Sequence, residues 1–201
     1  MNIIEKFDRQ FEYGSILMNV FIAFQFFILW KQPQLSDIDK IATLSALMLF
    51  EFVMVHSGVF MAVMPKKMSL FILIPFYGVF AWAFNSMVSD NLILIAYALV
   101  ILNRMRFAFS DVSKEVRSRT ILKSVLSAMI YFFLFFPAVL AASHIPKLGL
   151  DEIFIQSSGY GISNNIEGIF TEFPHAAMAF GLAYYCSLAI MESQFLRRKH
   201  S

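Results

Sequence analysis

Glu51 and His56 are the two ionisable side chains inside an otherwise uncharged apolar stretch, residues 41–63. At 23 residues this stretch is long enough to cross a bilayer, and Glu51 lies almost at its centre. A carboxyl group at that depth is costly unless it has a partner, a proton or a water-filled cavity. The functional hypothesis is that Glu51 accepts protons or binds cations in a cavity. The structural alternative is a protonated Glu51 that only bonds to another helix.

His56 follows Glu51 by five residues, about 7 Å closer to one membrane surface at about 1.5 Å per residue. Five residues of regular helix place the two side chains about 140° apart, so they do not share a face. We expect His56 on an adjacent wall, where it either tunes Glu51 or serves as an ordinary structural histidine.

Several tyrosines fall at a similar depth, although tyrosine usually prefers membrane interfaces. Together with Asn19 and Gln25 they indicate a polar belt around Glu51. Ordinary aromatic packing with a few hydroxyl hydrogen bonds is the alternative for each of them alone. The tyrosines singled out as ion or proton ligands are Tyr77, Tyr131 and Tyr184, with Tyr97 and Tyr185 near them.

A metal site is a second chemical hypothesis. Glu172 and His175 form a Glu-x-x-His pair, a spacing that supplies di-metal ligands in helical bundles, and His144 is a third possible ligand. Pro174 lies between the first two at a helix start, and a second such pair is missing. The structural alternative is a solvated Glu172 that only complements the positive end of the helix.

Cofactor motifs give little support for other chemistry. The sequence has no phosphate-binding loop, GxSxG, HExxH or CxxCH. Haem held by two histidines needs both at one depth, whereas His56 and His175 fall in opposite leaflets. We therefore predict no cofactor, with a metal ion or haem as the open alternative. Cys186, the only cysteine, excludes an intramolecular disulfide.

Composition indicates which elements position these residues. The chain is 59% hydrophobic and only 15% charged, whereas soluble domains are about 25% charged. This predicts an all-α, polytopic membrane helix bundle forming a single domain, 1–201. The spans are about 13–30, 41–63, 69–87, 92–107, 121–142 and 174–195. We expect residues 1–12 to form an interfacial segment and residues 143–173 to form an outer connection. Pro75 and Pro137 are expected to kink their helices.

Charge distribution orients the six spans. With a cytoplasmic N-terminus, 13 of the 16 basic residues lie on the cytoplasmic side, as the positive-inside rule requires. We therefore expect a plasma membrane protein (the inner membrane in a bacterium) with both termini cytoplasmic. A basic rim then attracts anionic lipid, and nothing points to nucleic acid. The rim comprises Arg104, Arg106, Lys114, Arg117, Arg119 and Lys123.

Three functions follow from these patterns. The first is a small transport or channel protein that moves protons, cations or a small solute past Glu51. The second is a membrane-embedded enzyme or accessory subunit using His144, Glu172 and His175. The third is a scaffold without chemistry. The sequence favours the first, a non-enzymatic role, and small-residue pairs such as Ala177 and Gly181 suggest close helix packing or a homo-oligomer.

Overall fold

The computed structural model describes residues 7–86, 91–104, 114–160 and 169–198, which are mainly helical. It is 88% helical, and these ranges contain no strand, so the all-α prediction is confirmed. The helices described are α1 (Asp8–Lys31), α2 (Ile38–Val63), α3 (Lys66–Met68), α4 (Ile74–Asn85), α5 (Leu92–Arg104), α6 (Lys114–Leu140), α7 (Glu152–Ser158), α8 (Ile169–Glu172) and α9 (Pro174–Arg198). The predicted span ends at 87 and 105–107, and residues 161–168 of the outer connection, lie outside the described residues.

Two helices begin earlier than the sequence indicated. α1 begins at Asp8, so residues 8–12 of the predicted interfacial segment continue the first long helix; residues 1–6 lie outside the described part. α6 begins at Lys114, inside the stretch expected to be a charged loop before a span at 121–142. Charge does not end these helices because charged residues three or four apart share one face and find partners there.

The third predicted span is an interrupted helix. A π-helical turn, Ser69–Leu73, separates α3 from α4, and the N–H of Ile74 donates to the carbonyl of Ser69, five residues back. Pro75 has no N–H, and its ring crowds the carbonyl four residues before it, so the preceding turn is wider than an α-helical one. The sequence predicted a kink at Pro75, and the structure has this π-helical turn just before it.

α9 is the central helix, packed against α1, α6 and α2. Its closest approach is to α1, where Gly181 lies against the ring of Phe26 and a Cβ added at Gly181 would be 2.3 Å from that ring. Phe26 is fully buried and stacks on Tyr185 at a centroid distance of 5.8 Å. The small-residue pair of Ala177 and Gly181 therefore allows close packing within the chain.

Three helical segments are long and apolar enough to cross a membrane, Arg9–Lys31, Arg117–Leu140 and Pro174–Arg197, and Ser69–Asn85 is a shorter apolar stretch. Many large apolar side chains are exposed on the outer faces, among them Leu17, Phe133 and Leu140. Exposed apolar surface on this scale is typical of contact with lipid or a partner. These features fit a membrane protein, although six spans is a larger number than these helices establish.

The connection after α6 is fastened to the end of α1. The Trp30 ring N–H donates to the carbonyl of Pro146 at 2.9 Å, and the Gly149 N–H donates to the carbonyl of Trp30 at 3.0 Å. A Cβ at Gly149 would lie 2.4 Å from Cδ of Pro33, so no larger residue fits without a shift. The first part of the predicted outer connection is therefore held in a fixed place.

Candidate functional site

A cavity of about 510 Å³ lies between α1, α2, α5, α6 and α9, and Glu51 lines it. This volume is within the range of about 300–1,000 Å³ typical of small-molecule sites. On α1 the lining residues run from Glu12 to Leu29. From Glu12 to Leu29 the helix rises by about 25 Å at about 1.5 Å per residue. The cavity is thus nearly as long as the hydrocarbon core of a bilayer is thick, about 30 Å.

Glu51 is 4% exposed and has a defined partner on the central helix. The Tyr184 hydroxyl on α9 donates to Oε1 of Glu51 at 2.9 Å. Tyr131 on α6 lies beside this pair, with its ring 5.5 Å from that of Tyr184, but its hydroxyl donates to the carbonyl of Met48 at 2.8 Å. Of the predicted belt, Asn19, Gln25 and Tyr185 line the cavity with Glu51, and Tyr184 and Tyr131 pack beside Glu51.

The two halves of the cavity differ in chemistry. Around the first part of α1 the walls carry hydroxyl and amide groups, from Ser15 and Asn19 on α1 and from Ser124 and Ser127 on α6. The other half is lined mostly by aliphatic side chains, with Lys40 as an exception; they are Leu29, Leu44, Leu47, Leu92, Ile95 and Leu99. Glu51 therefore belongs to a cavity that is polar at one end and apolar at the other.

A cluster of charged side chains, termed here the charged cluster, lies at the polar end: Glu12, Arg119, Lys123 and Glu192. Oε1 of Glu12 is 3.3 Å from the Arg119 guanidinium and 3.1 Å from Nζ of Lys123. The Ser15 hydroxyl donates to Oε1 of Glu192 at 2.9 Å. These contacts join the ends of α1, α6 and α9.

Sequence reasoning missed this cluster. Glu12 was assigned to the interfacial segment, and Arg119 and Lys123 to a solvated rim, but all three lie inside. Lys114 and Arg117 are exposed as a rim requires, Arg106 lies outside the described residues, and the side chain of Arg104 is not described. The available signal was spacing: Glu12, Ser15 and Asn19 share one helical face, as do Arg119, Lys123 and Ser127.

His56 and Tyr77 do not line the cavity. Nδ1 of His56 is 2.6 Å from the carbonyl of Phe52, and its ring packs edge-on against Phe132 at 5.3 Å. This places His56 on a different face of α2 from Glu51. Tyr77 on α4 is buried and contacts Phe76, while the neighbouring Tyr97 hydroxyl donates to the carbonyl of Ile74.

The three metal-ligand candidates are not gathered into one site. His175 is buried, and its Nε2 is 3.0 Å from the carbonyl of Ala142. His144 is exposed beside Ser143, and Glu172 is exposed before α9. Among the described residues, no group of three or more His, Cys, Asp or Glu side chains is placed to hold a metal ion.

Lys40 lines the apolar end of the cavity and is held by an ion pair. Its Nζ lies 2.8 Å from Asp37, whose other carboxylate oxygen accepts the Gln34 N–H at 3.1 Å. The hydrogen bond from Lys40 lowers the pKa of the Asp37 carboxyl, and the Gln34 N–H adds to this effect. Asp37 therefore stays ionised and fixes the turn before α2.

Comparison with known proteins adds no identity to this geometry. No family model, no curated protein and no solved structure matches the chain.

Proposed function

We propose that the chain is a small integral membrane transport protein in which Glu51 takes up and releases a proton, or binds a cation, as solute passes through the cavity. The observation that carries the proposal is a carboxyl group, 4% exposed, on the wall of a cavity that nearly matches the membrane in length. Buried ionisable groups inside membrane proteins commonly mark ion or substrate paths.

The six-span arrangement belongs to the same proposal. α2 has 26 residues, Ser69–Asn85 is a shorter apolar helical stretch, and α5 is apolar, so the proposal assigns a crossing to each of them. The bias of basic residues supports a plasma membrane location with both termini in the cytoplasm. The charged cluster then lies on the cytoplasmic side. Association of copies into a homo-oligomer and binding of anionic lipid at the rim stay predictions.

The proposed mechanism follows from the order of groups along the cavity. Ser15, Asn19 and Ser127 offer hydrogen-bonding groups between the charged cluster and the middle of the membrane. A proton from the cytoplasm reaches Glu51 along them and neutralises the carboxylate. Tyr184 stabilises the ionised form by donating to Oε1, so proton release restores this hydrogen bond.

Flux through liposomes tests the proposal. Purified protein is reconstituted into liposomes, and proton and cation flux is followed with fluorescent dyes for wild type and Glu51→Gln. The glutamine has nearly the same shape but no ionisable group, so we expect flux to fall to the level of empty liposomes. The matched control is Glu152→Gln, which alters an exposed carboxylate outside the cavity.

The outcomes separate the three functions. Loss of flux in Glu51→Gln alone supports transport. Absence of flux from well-folded wild type refutes it. A scaffold instead predicts that Glu51→Gln is harmless and Glu51→Leu impairs assembly, and an enzyme predicts that His175→Ala is the severe change.

A further inference from the structure

The charged cluster contains a buried acceptor whose hydrogen-bonding capacity is not used within the described residues. Glu12 is 4% exposed, and both of its ion pairs use Oε1. Oε2 is buried and has no hydrogen-bond partner among the described residues. A buried carboxylate oxygen in this state is costly, so a ligand that brings an N–H donor would be stabilised there.

The charged cluster lies near one end of each of three candidate membrane spans, the depth expected for lipid headgroups. Glu12 is three residues from one end of the segment Arg9–Lys31, and Arg119 is two residues from one end of Arg117–Leu140. Glu192 is five residues from one end of Pro174–Arg197. These three ends lie together, so the cluster is near one edge of the apolar core. Two acids and two bases side by side match a headgroup that carries both signs.

The cavity also opens sideways. Four of its lining residues are exposed on the outer surface of the protein: Phe21 on α1, and Leu92, Ile95 and Leu99 on α5. A side chain that both lines the cavity and faces outward marks an opening between these two helices. In a membrane that opening faces acyl chains, and the aliphatic half of the cavity lies directly behind it.

We infer that the cavity binds a zwitterionic phospholipid with a primary amine, of the phosphatidylethanolamine class, from the cytoplasmic leaflet. The phosphate lies near Arg119 and Lys123, the ammonium donates to Oε2 of Glu12, and an acyl chain occupies the aliphatic half. A choline headgroup has no N–H and leaves Oε2 without a donor. The inference rests on the proposed function for the orientation of the chain and for its transport meaning, where this lipid is the solute.

Lipid competition tests the binding site. Purified full-length protein is delipidated in detergent and then equilibrated with equal amounts of phosphatidylethanolamine, phosphatidylcholine and phosphatidylglycerol that carry identical chains. Retained lipid is counted by native mass spectrometry. A charge-assisted hydrogen bond predicts about tenfold or greater preference for phosphatidylethanolamine over phosphatidylcholine. Equal retention of the two would overturn the inference.

Variants locate the site. Glu12→Gln removes the negative charge, and we expect the preference to fall several-fold; an unchanged preference overturns the assignment. Because Glu12 also holds two cations, Ile95→Trp provides a test at the opening, where Ile95 is 53% exposed. It should reduce retention of every lipid, whereas Ile190→Trp, at a position 58% exposed and away from the cavity, should not. Equal retention in these two variants contradicts the proposed opening.

Two further experiments show whether the ligand is a lipid or a soluble headgroup, and whether lipid binding and transport stand independently. Soluble phosphoethanolamine in excess should not displace the lipid, because it has no chain; displacement would overturn the lipid assignment. Selective lipid retention without flux would support this inference and refute transport. Flux without lipid selectivity would support transport and refute the lipid inference.

Discussion

Gly181→Ala tests whether contact between α1 and α9 sets the position of α1. A Cβ at residue 181 would meet three ring atoms of Phe26 at 2.3–2.5 Å, whereas ordinary contact begins at 3.4 Å. The ring must therefore retreat by about 1.1 Å, yet Phe26 is fully buried and stacked on Tyr185. Overpacking of this kind costs about 1–3 kcal/mol. For a chain of this size, each kcal/mol lowers the melting temperature by about 2–4 °C.

Thermal melting of the purified protein in detergent measures the effect. Phe26→Leu removes the clashing ring atoms, so the double variant should be less destabilised than the sum of the two single variants, by about 1 kcal/mol or more. Gly78→Ala is the matched control, since its added Cβ would meet Tyr97 at an ordinary 3.5 Å. A Gly181→Ala protein as stable as wild type would refute the reasoning, and so would additive costs.

Three further outcomes are expected. Tyr184→Phe removes the donor to Oε1 of Glu51, and a lost hydrogen bond to a charged group predicts about tenfold slower proton flux in liposomes, with an unchanged rate counting against the mechanism. Gly149→Ala should lower the melting temperature, because its Cβ would lie 2.4 Å from a proline ring atom; an unchanged value would contradict the close contact. Because folding lowers the pKa of Asp37, its ionised carboxylate stabilises the fold fully above about pH 4 and progressively less as the pH falls further. Stability of Asp37→Asn should therefore depend less on pH in that range, as melting curves at several pH values will show.

The sequence could predict that Glu51 needs a partner, because a buried carboxyl group in a long apolar helix is costly when it is alone. It could not identify that partner: Tyr184 was one of several candidate tyrosines, and the hydrogen bond spans 133 residues. Local patterns cannot select one tyrosine among several, because the choice depends on how helices rotate against one another. The cavity around Glu51 could not be predicted for the same reason, since its shape also depends on how the helices rotate against one another.

The charged cluster shows a different limit of prediction from the sequence. Lys123 and Arg119 were assigned to a loop because charge in a membrane protein usually indicates water. Their buried acid, Glu12, is more than a hundred residues away, so the compensation is invisible locally. Spacing alone showed that these residues share a helical face. It could not show that the face points inward.

The pairing of α1 with α9 has a consequence for how the protein is made. Ser15 and Glu192 are 177 residues apart, and α1 finds its main neighbour in the final helix of the described chain. Membrane helices insert first and associate afterwards, and contacts of long sequence separation form late. If α1 inserts before α9 has been synthesised, its polar face stays uncovered during that interval. Chaperones and proteases that survey half-made membrane proteins would meet that face until α9 covers it.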